Sequence, residues 1–221
     1  HWCMDGPSFR AAVEEARQTE LDRLGSNKLL VALTEADLTT PGVLEVAAAS
    51  EAAARDTFAA WADTETDPAA QERFAAVADR EREHYSRVVE SLRDANPDRA
   101  AAFDPGEDPG PGHSYLRSRE RTIERLAAGT VGRGLVSLRT HAQVIGFFIN
   151  EQDERRANLV RDLRAETETA MEDGLALLET TCEDEEGWDR ARASAKYVVT
   201  VAYDSYADAL QGMGVDPKSV C

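Results

Sequence analysis

Apolar residues recur along this chain at alternating steps of three and four, the spacing of a helix that buries one face. Four segments carry the pattern most clearly. The first reads Leu44, Ala47, Glu51, Ala54, Phe58, Trp61, and the second Phe74, Val77, Glu81, His84, Val88. The third reads Leu138, His141, Ile145, Phe148, and the fourth Leu159, Leu163, Glu166, Ala170, Asp173, Leu177. No run of alternating β-branched residues suggests a strand, so the pattern predicts an all-α fold.

Glycine, proline and capping residues punctuate these segments. A first helix is expected from Ser8 to Leu24, closed by Gly25-Ser26-Asn27, with a short apolar piece from Leu29 to Leu33. Thr40-Pro41 supplies a capping hydroxyl and a first-turn proline for a helix reaching about Asp63. DTETDPA (Asp63 to Ala69) reads as the turn into a partner helix, Ala70 to Arg93. The stretch from Asn96 to Gly112 is rich in Pro, Gly and Asp, and is longer than a turn between neighbouring helices needs. Helix is expected again over Ser114–Ala128, with Gly129 to Gly134 as a break or kink. Helices over Leu135–Gln152, Leu159–Thr181 and Trp188–Leu210 follow, and a Gly/Pro tail. The sum is a hairpin, a crossover at about 94–134 and a second hairpin, one topology of a four-helix bundle. The bundle spans 40–181, with a helical extension at 1–39 and a C-terminal helix and tail at 182–221.

Polar residues sit inside all four stripes, where a buried, unpaired carboxylate is costly unless neutral, paired or metal-bound. Glu81 and His84 form a Glu-x-x-His, whose spacing lets both side chains reach one ion from a single helix face. Carboxylate bundles that hold two iron ions use a Glu from each of two helices and a Glu-x-x-His from each of the other two. The alternatives are ordinary core satisfaction. Glu81 and His84 would bond one another, with Arg55 in reach. His141 would bond a carbonyl, and Glu166 would pair with Arg139 or Arg161. His113, in a Pro/Gly loop, carries no signal of its own, and the tyrosines read as packing.

Charge narrows the partners. The chain carries 42 acidic and 25 basic residues, a net charge of −17. Only three of the basic residues are lysines: Lys28, Lys196 and Lys218. This balance resembles proteins of organisms that keep molar salt in the cytoplasm, where the Debye length of about 3 Å screens the charge. It argues against nucleic acid and against anionic membrane as partners. Cys3, Cys182 and Cys221 form neither a metal-ligand spacing nor a disulfide framework, which fits a reducing cytoplasm. No apolar run approaches a membrane span and no signal peptide is visible, while Met4 reads as the natural initiator.

The segment VAAASEAAARDTFAAWAD with FAAVADREREHYSRVVESL resembles the first half of the rubrerythrin branch of the ferritin-like superfamily. Glu51, Ala54 and Arg55 fall on that branch's Glu-x-x-Ala-Arg helix, and Glu81 with His84 on its Glu-x-x-His helix. The resemblance implies internal duplication, so THAQVIGFFINE places His141 opposite Glu51. LRAETETAMEDGLALLE places Glu166 opposite Glu81 and Thr169 opposite His84. The second half thus departs from the family at both motifs, and the chain has no rubredoxin-type Cys-x-x-Cys. What the resemblance implies is a ferritin-like bundle whose iron, manganese or zinc is held by Glu51, Glu81, His84, His141 and Glu166. It would reduce peroxide or oxidise Fe(II), needing a small-molecule oxidant and an external reductant, and could pair as a homodimer. The asymmetry of the halves also fits a metal-free scaffold that binds a partner.

Overall fold

The computed structural model describes residues 4–218, and all regular structure among them is helical. Cys3 and Cys221 lie outside the described residues. The chain opens with α1 (Gly6–Ala16), α2 (Gln18–Leu24) and α3 (Lys28–Leu33). The single helix expected over Ser8–Leu24 is therefore two, parted at Arg17, whose φ of −123° and ψ of 25° leave the helical region. Its start lies earlier than expected because Asp5 caps it, accepting from the Ser8 amide at 2.8 Å.

The long helix α4 (Thr40–Thr64) is capped by Thr39, whose hydroxyl accepts from the Gly42 amide at 3.1 Å. Its neighbour α5 (Pro68–Ala95) is capped by Asp67, which accepts from the Ala70 amide at 2.8 Å. Only Glu65 to Asp67 link the two, a tighter turn than the expected Asp63–Ala69. Glu65 organises it. Its carboxylate accepts from the Thr66 and Asp67 amides at 3.1 and 3.2 Å, from the Thr122 hydroxyl at 2.6 Å and from Arg125 at 3.1 Å.

The crossover carries two short helices, α6 (Pro97–Ala102) and α7 (Gly110–Arg117). Beyond them α8 (Thr122–Glu124) runs into a π-helical segment, Arg125–Gly132, and on into α9 (Arg133–Asn150). Two expectations are corrected here. The helix placed at Ser114–Ala128 is split at 118–121, and the break placed at Gly129–Gly134 lies inside a continuous helix. These glycines serve close packing rather than termination. A Cβ on Gly129 would lie 2.4 Å from the Trp61 ring, and one on Gly132 would lie 2.7 Å from the Ala195 carbonyl. The widened π turns lie against α4 and α11 at these points. The chain ends with α10 (Glu154–Thr181), capped by Asp153, and α11 (Glu185–Gly212), capped by Asp184.

α4 and α5 pack along their length as one hairpin, α9 and α10 as a second, and α5 lies beside α10. α11 covers the π segment, and α1 rests on α10 and α11. The buried face of α10 keeps Leu163 and Ala170 of the expected stripe but has Val160, Thr167, Gly174 and Leu178 in place of Leu159, Glu166, Asp173 and Leu177. Asp173 is exposed and pairs with Arg73 at 2.7 Å.

Two apolar clusters fill the interior of the hairpins. Phe58, Trp61, Phe74, Leu135, Leu138 and Met171 belong to one, and Leu44, Val88, Val144, Phe148 and Val160 to the other. Between them, Glu51, Glu81 and His141 are buried on α4, α5 and α9, and His84 on α5. The polar residues therefore form a layer across the core, with apolar packing on both sides. Among the described residues no helix is long and apolar enough to cross a membrane.

Candidate metal centre

His84 stands at the middle of the polar layer with no solvent exposure. Its Nε2 lies 2.7 Å from Glu166 Oε2 on α10. The ring's other nitrogen, Nδ1, points between α4 and α5. It lies 3.6 Å from Glu51 Oε2 and 3.7 Å from Glu81 Oε2, too far for a hydrogen bond to either. Nδ1 and Glu81 Oε2 have no hydrogen-bond partner although both are buried. Buried polar atoms are almost always paired, so these two orphans, 3.7 Å apart, are open positions in the layer.

Glu51, Glu81 and His84 each present one ligand atom, and the three lie within 4.8 Å of one another. Atoms that share one ion at about 2.1 Å sit roughly 3.0–3.4 Å apart, so the observed separations are close to a coordinating set. This buried Glu51/Glu81/His84 cluster could hold a metal ion.

The five residues singled out by the sequence occupy different places around it. Glu51, Glu81 and His84 converge. His141 is buried on the far side of Glu51, its Nε2 3.5 Å from Glu51 Oε1 and its Nδ1 without a partner. Glu166 does not join the three. It sits behind His84, half exposed, and also receives Arg87 at 3.3 Å. Its bond to Nε2 fixes which nitrogen of His84 faces the carboxylates. Arg139 and Arg161, the expected partners of Glu166, contact Leu135 and Glu154 instead. Arg55 pairs with Asp56 and stacks on Tyr85, and Thr169 is exposed.

One member of the layer had no sequence signal. Arg133, at the start of α9, donates from Nη2 to Glu81 Oε1 at 3.2 Å. Its guanidinium also lies over the Phe58 ring at 5.2 Å. Arg133, Ser137 and His141 recur every fourth residue along one face, which would have marked Arg133 had helix been read through Gly129–Gly134.

The charges are distributed unequally. Burial opposes ionisation of Glu51, but Glu81, His141 and His84 around it outweigh this and hold it well below the usual carboxylate range. Burial and the neighbouring Glu51 charge push Glu81 up to about 7, against the pull of Arg133. Burial alone would lower His84, yet Glu51 and Glu81 raise it to about 10. The layer thus sets ionised Glu51 and partly protonated Glu81 against the cations His84 and Arg133, with Glu166 shared between His84 and Arg87. Comparison with protein-family models, curated proteins and solved structures finds no match for this chain.

Proposed function

We propose that the chain is a rubrerythrin-like metal–carboxylate protein with a single-ion centre, built on a ferritin-like four-helix bundle formed by α4, α5, α9 and α10. The supporting observation is the pair of orphaned, inward-facing atoms, His84 Nδ1 and Glu81 Oε2, beside ionised Glu51. Glu51, Glu81 and His84 hold the ion, and Glu166 orients His84 from behind. Two carboxylates with one imidazole suit iron(II), manganese or zinc. A redox-active ion in that place would pass electrons one at a time, so reduction of one peroxide to water would draw two electrons in turn from an external reductant.

The protein's own residues set the conditions for that chemistry. Apolar layers led by Phe58 and Phe74 on one side and Leu44 and Val88 on the other keep bulk water from the centre. Glu81, whose proton affinity is raised in the ion-free protein, gives up its proton when it takes an ion. His141 stands on the opposite oxygen of Glu51, its Nε2 3.5 Å from Oε1. The chain has no second redox centre among its described residues, so electrons come from an external reductant.

A second reading is a metal-free helical scaffold, and Arg133 favours it: its guanidinium already supplies Glu81 with a cation. Peroxide consumption by iron-loaded protein, given an artificial one-electron reductant in molar KCl, tests the first reading. Sustained turnover that falls to background in His84→Ala supports it. Background rates from fully loaded wild-type protein refute the oxidant-reducing role.

A further inference from the structure

A cavity of about 390 Å³ lies between α4, the crossover and the α9–α11 face, separate from the carboxylate cluster but sharing Arg133 with it. The volume falls in the range of small-molecule sites, about 300–1,000 Å³. Its roof is the loop 105–110. Gly106 and Gly110 take φ of 75° and 78°, values that suit glycine. Asp104 and Asp108 accept from their amides at 2.9 Å each, which shapes the loop over the cavity.

The walls are largely aliphatic, with Val46, Ala49, Val136, Val198 and Ala202 among them and no Phe, Tyr or Trp. Beside the hydroxyls of Ser50, Ser137 and Thr140, the lining carries stronger donors. Arg133 reaches the cavity with a guanidinium whose Nη1 has only Ser137 at 3.4 Å. His113 supplies a second donor. Arg117 Nε donates to the Thr57 hydroxyl at 3.0 Å, which leaves that hydroxyl's own proton for His113 Nδ1 at 2.9 Å. The proton of the neutral imidazole is then on Nε2, which no hydrogen bond among the described residues occupies. Burial, with Arg133 and Arg117 nearby, keeps His113 neutral by pulling it down to about 3. The acidic residues of the cavity, Asp56, Glu107 and Asp108, are exposed at its rim, and Asp56 is already paired with Arg55.

A chain of net charge −17 has thus gathered two arginines and an imidazole donor around an aliphatic chamber. We propose that this cavity is a binding site for a small aliphatic carboxylate, its head group on Arg133 and the His113 Nε2 proton, its chain along Val46, Val136 and Val198. The carboxylate would complete the donor set that the protein leaves open, as charge-assisted hydrogen bonds do. The site does not depend on a metal in the carboxylate cluster.

Octanoate is the probe, with n-octanol and octylamine as matched neutral and cationic chains. Calorimetric titration of chelator-treated, full-length protein in molar KCl is expected to give one octanoate site. Octanol should bind at least about tenfold more weakly and octylamine not at all, because charged hydrogen bonds carry the difference. His113→Leu should remove most of the preference for octanoate over octanol. Methyl NMR locates the ligand without any substitution: Val46, Val136 and Val198 resonances should shift on saturation while Val43 and Val88 stay. Equal binding of octanol and octanoate, absence of saturable binding, or shifts confined to other methyls would each overturn the proposal. Because the protein is metal-free throughout, the outcome is independent of whether the carboxylate cluster binds an ion.

Discussion

His84 Nε2 and Glu166 Oε2 lie 2.7 Å apart, across the interface of α5 and α10. This contact turns the opposite nitrogen of the ring toward Glu51 and Glu81. A carboxylate behind a ligating histidine fixes its tautomer and raises its basicity, and losing it costs about 10–100-fold in metal affinity. Glu166→Gln is therefore expected to weaken Mn(II) binding by about that factor without abolishing it, as read by calorimetry. Glu81→Ala should abolish it. Equal, complete loss in both variants would place Glu166 among the ligands; no change in Glu166→Gln would remove it from the centre.

Binding must also release protons. At pH 7 His84, with its pKa raised to about 10, carries a proton, and Glu81, raised to about 7, carries about half of one. An ion needs both side chains bare, so binding at pH 7 should release about 1.5 protons. Raised folded values mean that the ion-free protein holds these protons until pH passes 7 and then 10. Release should accordingly rise toward two at pH 6 and fall toward one at pH 8.5. Titrations in buffers of different ionisation enthalpy measure this directly. A release near zero at all three would mean that neither group is displaced.

Arg133 occupies the outer oxygen of Glu81, where a second cation would otherwise share the Glu51 and Glu81 carboxylates with His141. In the proposed reading, this contact is what limits the centre to a single ion. Arg133→Gln is expected to bind a second equivalent of Mn(II), more weakly than the first, while wild type saturates at one. If the variant also stops at one equivalent, Arg133 is not what limits the stoichiometry.

Glu65 and Arg125 form a buried ion pair at 3.1 Å that locks the α4–α5 turn to the start of the π segment. Removing one partner of such a pair costs about 3 kcal/mol. Glu65→Ala should then melt roughly 6–12 °C below wild type. Burial would raise the Glu65 pKa, but Thr122, the Asp67 amide and Arg125 bring it below its ordinary value of 4.5. A lowered folded value means that the stabilisation is full above pH 4.5 and fades as pH falls through the folded value. The gap between wild type and Glu65→Gln should narrow in acid. A gap unchanged from pH 7 to pH 3 would show that the carboxylate's charge does not matter.

The helical character, the two hairpins and the buried positions of Glu51, Glu81, His84 and His141 were legible in the spacing of apolar residues. Such spacing reports which face of a helix is inward, and these residues interrupt strong stripes. α10 was harder to read. Leu159 and Leu177 are only partly buried, and they drew the expected stripe one residue away from Thr167 and Gly174, onto Glu166 and exposed Asp173. Glycines at 129, 132 and 134 look like helix breakers, yet each is there because another side chain or carbonyl fills the space of its missing Cβ. That misreading concealed Arg133. Long-range partners such as Glu65 with Arg125, or His113 with Thr57, have no periodic signature, because they come from segments about sixty residues apart.

Elemental analysis of the untagged protein, purified in molar KCl from cells supplied with iron, manganese and zinc, bears most directly on the centre. One equivalent of a single metal per chain, absent from Glu81→Ala that retains its helical circular dichroism, is the predicted result. Wild-type protein that carries no stoichiometric metal, and takes none up on dialysis against Mn(II), Fe(II) or Zn(II), would contradict it.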